Sequence, residues 1–409
     1  MAIKSRMPSA GSIEKAIEAL TDGLEIAGGN GVEVEKTVDF EPDPSINELE
    51  DGSVEVSTDG SPLQPQLDQA NIPFNANLAD YISEEDLRKL SDSCVASYES
   101  DKESRKDWED TYIKGLDMLG FKYEDRTQPF EGASGVIHPL LAESVTQFQA
   151  QAYKELLPPA GPVNTEIVGE ITPDVEEQAK RVKDYMNYMI THVMKEYDPD
   201  MDQLLFYLPL SGSAFKKTYY DGTLMRPVSK FVSGEDCVIN YGASSLEDAN
   251  RITHVTKVDA NSLRKQQVSG FYRDIPIVSG SVSTTNEVKE KVDELEGVSK
   301  EIPEGDDYHT LLEMHVDMDV PGFEDPQGIK LPYIITIDQY SSEVLSIRRN
   351  WSEQDPAKGR IDYFTHYKFL PGLGFYGFGL IHMLGGLSRT ATSVLRQLID
   401  AGTLANLPA

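Results

Sequence analysis

The feature that most limits how this chain can fold is a change of hydrophobic pattern near residue 211. Before that point, apolar residues recur at the spacing of amphipathic helices. After it, short β-branched and aromatic runs are separated by Gly and Asp turns, which is typical of strands. Helical spacing covers 83–119, 140–157, 174–197, 200–210, 259–272 and 387–404, and the strand pattern covers 214–222, 227–242, 251–258, 311–320, 331–349 and 361–370. We therefore predict a mixed α+β fold with two β units.

The first 82 residues differ from the rest in charge and hydrophobicity. Residues 1–80 hold four basic and sixteen acidic residues, and 28–73 is rich in Gly, Pro, Asp, Glu and Ser. Such a segment has too few large apolar side chains to offset the entropy of ordering its backbone. We predict an acidic, largely disordered N-terminal arm over 1–82, with helical spacing only at 12–26, and ordered structure from about Ser83.

The charge balance excludes one class of function. With 37 basic and 69 acidic residues, the formal net charge is −32, so we expect no basic patch that wraps nucleic acid. A surface that nucleic acid slides past is compatible with this acidity, because attraction to phosphate would slow the movement. The two cysteines, Cys94 and Cys237, are far apart in sequence and predict buried free thiols in a reducing compartment.

One uncharged segment has the length of a membrane span. Residues 369–388 carry no charge over twenty positions, but six of the twenty are glycine. The N-terminus has no unbroken apolar run and so does not predict a signal peptide. We therefore predict no membrane partner and expect 369–388 to be buried against protein.

Within that segment, the sequence from Gly372 through Gly374 to Gly377 has the G-x-G-x-x-G spacing of dinucleotide-binding loops. Such a loop needs a second strand that follows the helix and ends in an acidic residue. Here helical spacing continues through Asp400, so no cofactor is predicted. The glycines instead suit either tight packing of an aromatic turn or a hinge at the entrance to the last helix. The candidate hinge residues are Gly372, Gly374, Gly377, Gly379, Gly385 and Gly386.

A second pattern concerns metal chemistry. Glu313, His315, Asp317 and Asp319 alternate along a predicted strand and therefore share one face. Carboxylates and an imidazole on one face can bind a divalent metal, which makes a metal-dependent hydrolase the alternative function. A half-buried strand with a solvated face gives the same alternation and is favoured. Neither a G-x-S-x-G motif nor a phosphate-binding loop occurs, so we predict no enzyme, no catalytic residue and no bound metal.

Several long stretches resemble the portal proteins of tailed bacteriophages. The resemblance runs through residues 132–163 (GASGVIHPLLAESVTQFQAQAYKELLPPAGPV), 204–255, 333–351 and 363–409. It is nearest to the large portals of short-tailed phages. Because it covers most of residues 100–409 in a consistent order, it is more specific than either motif above.

The resemblance implies a structural protein without catalytic residues. Portals form a ring of about twelve subunits at one capsid vertex. Double-stranded DNA is packaged through the ring by a terminase and later ejected, without sequence-specific binding. The implied partners are further copies of the chain, the terminase, the major capsid protein, and neck, adaptor or tail proteins. The implied location is the virion, and the host cytoplasm during assembly.

The portal plan also assigns roles to the segments. It implies a wing over 83–258, a first stem helix over 259–275, a clip over 276–376 with a flexible stretch at 276–308, and a second stem helix over 377–409. Portals of this type continue into more wing and a crown, so we expect this chain to lack the usual C-terminal part. Arg389, Arg396 and Lys368 are candidates for the channel wall or for contacts between subunits, and a simple salt bridge between subunits is the alternative for the two arginines.

Overall fold

The computed structural model describes residues 46–48, 54–56, 72–121, 126–277, 287–297, 308–372 and 374–406. The chain divides into two compact units, 1–72 and 73–409. In the first unit, strands β1 (Ile46–Glu48) and β2 (Val54–Val56) form an antiparallel pair where the sequence predicts a disordered arm. The helix predicted at 12–26 lies outside the described residues.

The described part of the second unit begins with helices and ends with one. A side-chain cap starts α1, because the Ser83 hydroxyl accepts a hydrogen bond from the Asp86 amide at 3.3 Å, which confirms the predicted start. The helices are α1 (Glu84–Ser104), α2 (Lys106–Asp117), α3 (Leu140–Leu156), α4 (Pro173–Tyr188), α5 (Tyr197–Ser211), α6 (Ala260–Val268), α7 (Glu287–Glu296) and α8 (Leu380–Ala405). A π-helical segment, Met189–Val193, follows α4.

Two antiparallel sheets lie between α5 and α8 in sequence. Their strands are β3 (Ser213–Asp221), β4 (Arg226–Val232), β5 (Cys237–Ile239), β6 (Arg251–Asp259), β7 (Tyr308–Met318), β8 (Leu331–Asp338), β9 (Val344–Arg349) and β10 (Phe364–Lys368). The three-stranded sheet has the order β10-β3-β4, and the five-stranded sheet has the order β5-β6-β7-β8-β9. The unit is therefore a mixed α/β structure, as the change of pattern near residue 211 predicts.

The five-stranded sheet crosses the boundary that the portal plan places between wing and clip. Strand β6, counted with the wing, pairs with β7, counted with the clip, from Arg251 opposite Val316 to Asp259 opposite Tyr308. These segments therefore share one continuous hydrogen-bonded sheet.

Among the described residues several apolar clusters form, and two of them join the sheets to each other and the helices to each other. The first lies between the sheets and includes Phe215, Ile252 and Phe364. The second joins α2, α3, α5 and α8 through Leu116, Leu141, Leu210, Ile381 and their neighbours. Full burial of a side chain of this size contributes about 1.5–3 kcal/mol to the free energy of unfolding.

Ordered structure begins before Ser83. Leu78 and Ala79 are fully buried, and Asn77 holds this segment against β9. The Asn77 side chain donates to the Leu345 carbonyl at 3.1 Å and accepts from the Ile347 amide at 2.9 Å. A buried asparagine can replace missing strand partners in this way because it carries both a donor and an acceptor.

Two segments differ from their predicted structure. The stretch 276–308, predicted to be flexible, contains helix α7, whose Val288 is fully buried in the helical core with Leu116 and Leu141. The segment 259–275, predicted as one stem helix, is helical only over Ala260–Val268. Asp259 caps it by accepting from the Ser262 amide at 2.9 Å, and Gly270 follows its end with a positive φ of 73°.

Candidate assembly surface

Helix α8 packs Ile381, near its start, into the helical core and turns mainly small and polar residues to the body of the protein along the rest of its length. Ile381, Gly385 and Ser388 are its buried residues. At about 100° per residue, the apolar residues Leu387, Val394 and Leu398 fall on the opposite side of the helix. Such an arrangement is unusual, since a surface helix normally turns its apolar stripe to the core.

The inner side of α8 is held by a ladder of polar contacts to the extended segment 134–138. The Asp400 carboxylate accepts from the Ser134 amide at 2.7 Å, and the Thr392 hydroxyl accepts from the His138 amide at 3.0 Å. Between them, Arg396 Nε donates to the Val136 carbonyl at 2.6 Å. Thr392, Arg396 and Asp400 are four residues apart, so they lie on one face of the helix. The ladder fixes the rotation of α8 about its own axis.

The outer side of α8 is an exposed apolar stripe, defined here as Met383, Leu387, Val394 and Leu398. Their exposed fractions are 56%, 62%, 59% and 69%. The helix has 26 residues and is therefore about 39 Å long. An exposed apolar stripe of this kind makes α8 a candidate contact surface.

The three basic candidates have different environments. Arg396 donates hydrogen bonds within the chain to the carbonyls of residues 135 and 136. Lys368 lies 5.6 Å from the Phe375 ring centroid, with its Nζ 3.5 Å from the Ser244 carbonyl. Arg389 is exposed and has no hydrogen bond or ion pair with the part of the chain that the structure describes. Of the three, Arg389 has the side chain most available for a contact outside the subunit.

The glycine loop, residues 371–372 and 374–379, leads into α8 and lies against the junction between α5 and β3. A Cβ atom on Gly377 would overlap the Gly212 carbonyl oxygen, and one on Gly379 would overlap the Leu210 carbonyl oxygen. Gly212 itself has a φ of 89° and faces the backbone of 377–379. Close approach of two backbones therefore accounts for the glycines at 377 and 379. Around Gly374 and Gly386 there is space for a Cβ atom.

Side chains of the same loop are anchored in the interior. The Phe375 ring stacks on His366 at 4.6 Å between centroids, and His366 stacks on Phe215 at 4.5 Å. Tyr376 stacks on Trp108 at 4.7 Å, and its hydroxyl accepts from the buried Arg105 guanidinium at 3.2 Å. These contacts support the tight-packing interpretation of the glycine loop.

The loop amides are used within the protein, which argues against a phosphate cradle. The Gly377 amide donates to Ser213 Oγ at 2.8 Å, and the Gly379 amide donates to His382 Nδ1 at 3.1 Å. Ser213 Oγ is also 3.1 Å from His366 Nε2, a distance found in catalytic Ser–His pairs. However, Ser213 is fully buried, and burial lowers the pKa of the stacked His366 to about 3. The pair is therefore a structural contact that holds the loop to β3.

The face of β7 that the alternative, metal-dependent function would use carries a lysine contact instead. Lys217 on β3 places its Nζ 2.6 Å from both Glu313 carboxylate oxygens, and His315 Nε2 is 2.8 Å from one of them. Burial alone would raise the pKa of Glu313, but the Lys217 ammonium, together with His315 and His254, outweighs burial and holds this pKa well below its usual range. Asp317, near the end of β7, and Asp319, just past that end, are exposed.

That arrangement differs from the solvated face predicted for β7. His315 is buried and contacts the rings of Tyr363 and Phe364, so this part of the strand lies between the two sheets. Across the described ranges, no group of three His, Cys, Asp or Glu side chains has the geometry to hold a metal ion. The cluster is an ion pair that links the two sheets.

Several residues that make these contacts have little or no signal in the sequence. Gly212, Ser134 and Lys217 occupy ordinary positions in their local patterns. Their partners lie far away in the chain, as with Lys217 and Glu313, which are 96 residues apart. The one local feature that marks Gly212 is its position directly after an apolar helix, where a glycine commonly takes a positive φ.

No protein-family model and no curated protein matches the chain. Among the helices described, α8 included, none combines the length and the apolar character that crossing a bilayer requires.

Proposed function

We propose that this chain is the subunit of a portal-like ring through which double-stranded DNA passes at a capsid vertex. The observation that carries the proposal is the orientation of α8. Its apolar stripe is exposed, while polar contacts with residues 134–138 hold the opposite side of the helix to its own chain. The choice of a portal-like ring rests on the resemblance to phage portals, which runs in a consistent order through most of residues 100–409.

The charge of the chain supports a conduit rather than a nucleic-acid-binding protein. At a net charge of −32, a ring of such chains repels phosphate, so DNA would move along it without being held. The proposed partners are the terminase, the major capsid protein and neck or tail components, and the proposed location is the virion. The Lys217–Glu313 contact argues against the alternative function, a metal-dependent hydrolase.

Electron microscopy of the purified full-length chain tests the proposal. We expect negatively stained particles to show closed rings with a central opening, in about twelve-fold symmetry. Mass photometry of the same sample should give a mass that is an integral multiple of the subunit's 45.4 kDa. A chain that stays monomeric over the micromolar range, with no rings in the images, contradicts the proposal.

A further inference from the structure

A carboxyl group is buried where three helices meet the turn between β4 and β5. This turn, residues 233–236, carries Glu235, whose side chain lies near Tyr112 of α2, Tyr207 of α5 and Lys289 of α7. Glu235 is 7% exposed, and its Oε2 atom has no hydrogen-bond donor among the residues that the structure describes. A buried carboxylate oxygen without a donor is costly, so the neutral acid fits this position better than the anion.

The buried cation beside this turn is already paired. Arg105, between α1 and α2, donates from its Nε to the Glu109 carboxylate at 2.8 Å. Its terminal nitrogens donate to the backbone carbonyls of Gly234, Glu235 and Cys237 at 2.9, 2.5 and 2.9 Å. Arg105 therefore holds the backbone of the turn, while its charge is balanced by Glu109 rather than by the Glu235 side chain.

The other groups around Glu235 do not replace that cation. Asp236, the next residue of the turn, adds a second acid, and the Tyr112 hydroxyl is buried without a hydrogen-bond partner in the described part of the chain. Lys289 attracts the carboxylate but forms no ion pair with it among the described residues. The groups that act on Glu235 from these elements are Arg105, Tyr112, Tyr207, Asp236 and Lys289, and Glu109 acts through Arg105.

This environment moves the titration of the buried acid toward neutral pH. Burial and the Asp236 carboxylate raise the pKa of Glu235 to about 7, and the attraction of Arg105 and Lys289 offsets only part of the increase. Above neutral pH the junction therefore contains a buried anion without an ion-pair partner, which is a destabilising arrangement.

Helix α7 has the fewest buried residues of the three helices at this junction. Val288 is its one buried residue among those described, whereas α2 buries three residues and α5 buries seven. Lys291 also ties α7 to α2, with its Nζ 2.7 Å from the Asp117 carboxylate, but Asp117 is half exposed and such a pair contributes little. Elements with few buried contacts open locally before the rest of a fold.

We propose that Glu235 is a pH-sensitive switch that releases α7 from the helical core. While the carboxyl group is neutral, the 233–236 turn packs beside α2 and α7. When the carboxyl group loses its proton, water must reach the anion, and α7 is the element that moves to admit it. The switch works within one chain and does not depend on the proposed ring.

The sign of the pH dependence follows from the two states of the junction. Between pH 4.5 and about 7, the closed junction holds a proton that the open junction has released. Opening therefore becomes easier by about tenfold per pH unit in this window and levels off above it.

Hydrogen exchange of the full-length chain, measured by mass spectrometry, tests the switch. We expect the protection factors of the α7 amides to fall at least about tenfold between about pH 5.5 and pH 8 in the wild type. In Glu235→Gln they should stay constant, because the amide has the same shape and no charge. Protection factors are compared rather than rates, since exchange of an unprotected amide itself accelerates with pH.

A matched control and a second variant keep the result decisive. Glu99 is exposed on α1, so Glu99→Gln should show the same pH dependence as the wild type. Glu235→Met, which is also neutral, replaces Glu235→Gln if the glutamine variant does not fold.

Three outcomes would overturn the switch. The first is a wild type whose α7 protection is the same at both pH values. The second is an equal loss of protection in the wild type and in the neutral variants of Glu235, which would assign the opening to another group. The third is a loss that α5 shares in full, which would show general destabilisation rather than release of α7.

Discussion

Among the single residues of the fold, Lys216 on β3 places an ammonium group in the interior. It is 3% exposed, and its Nζ has no hydrogen-bond acceptor among the residues that the structure describes. The nitrogen lies 3.8 Å from the centroid of the Tyr197 ring, so a cation–π contact offsets part of the lost hydration. Burial nevertheless lowers the pKa of Lys216 to about 8.

Replacing this lysine should stabilise the protein near neutral pH. We expect Lys216→Met to raise the free energy of unfolding by about 1–3 kcal/mol at pH 7, because an apolar side chain of similar length needs no hydration. Between pH 8 and 10.5 the unfolded chain binds the lysine proton and the folded chain does not. The stability of the wild type therefore rises relative to Lys216→Met across that window.

Urea unfolding of both proteins at pH 7 and pH 9.5 measures the difference. All other titrating groups are the same in the two proteins. The informative quantity is therefore how their difference in the free energy of unfolding changes between the two pH values. A difference that stays constant between the two pH values would show that Lys216 is not desolvated as the structure places it.

Among the elements, the glycine loop connects the sheets to α8 and offers a matched pair of glycines. Gly377→Val puts a branched side chain against the Gly212 carbonyl, so we expect a loss of at least about 2 kcal/mol in the free energy of unfolding. Gly374→Val introduces the same side chain at an exposed position with open space around it, where the change should be within about 0.5 kcal/mol.

Thermal unfolding of the two variants and the yield of assembled rings provide the measurements. Because the glycine loop sets where α8 begins, Gly377→Val should also reduce formation of the proposed ring. Equal tolerance of valine at 374 and 377 would contradict the tight backbone contact with Gly212.

Elements with local signals could be predicted from the sequence, whereas their orientation could not. Proline and acidic residues mark the start of α4, and Asp338 to Ser342 mark the turn between β8 and β9, so these were accessible to pattern analysis. Helix α7 was missed because its ten residues include five acidic ones and its buried Val288 gains its partners only in the folded core.

The apolar residues of α8 illustrate the limit of such patterns. Periodicity places Leu387, Val394 and Leu398 on one side of the helix, but it does not state whether that side faces inward. The direction is decided by the contacts of Arg396 and Asp400 with the segment 134–138, more than 250 residues away in sequence. A single sequence contains no local trace of such a pairing.

For the whole molecule, the net charge of −32 sets the conditions under which copies can associate. Like-charged chains repel each other over a Debye length of about 30 Å at 0.01 M salt and about 10 Å at 0.1 M. We therefore expect the proposed ring to form poorly at low ionic strength and to become more stable as salt screens the repulsion, since its proposed contact is mainly apolar.

Sedimentation velocity in a series of NaCl concentrations measures this dependence. The fraction of assembled protein should increase from about 0.01 M to 0.3 M salt at constant protein concentration. A ring that dissociates as salt is added would instead be held by opposite charges, and the apolar stripe of α8 would then not be its main contact.

The stacking of Trp108 on Tyr376 has a spectroscopic consequence. Trp108 also lies 5.7 Å from the Arg105 guanidinium carbon, and the other tryptophan of the chain, Trp351, packs on Phe74 and Tyr333 at a separate place. The intrinsic fluorescence of Trp108 therefore reports on the glycine loop, which connects the sheets to α8. Any rearrangement that moves Tyr376 away from Trp108 would change the wavelength and intensity of this fluorescence. The change can therefore be measured without an added label.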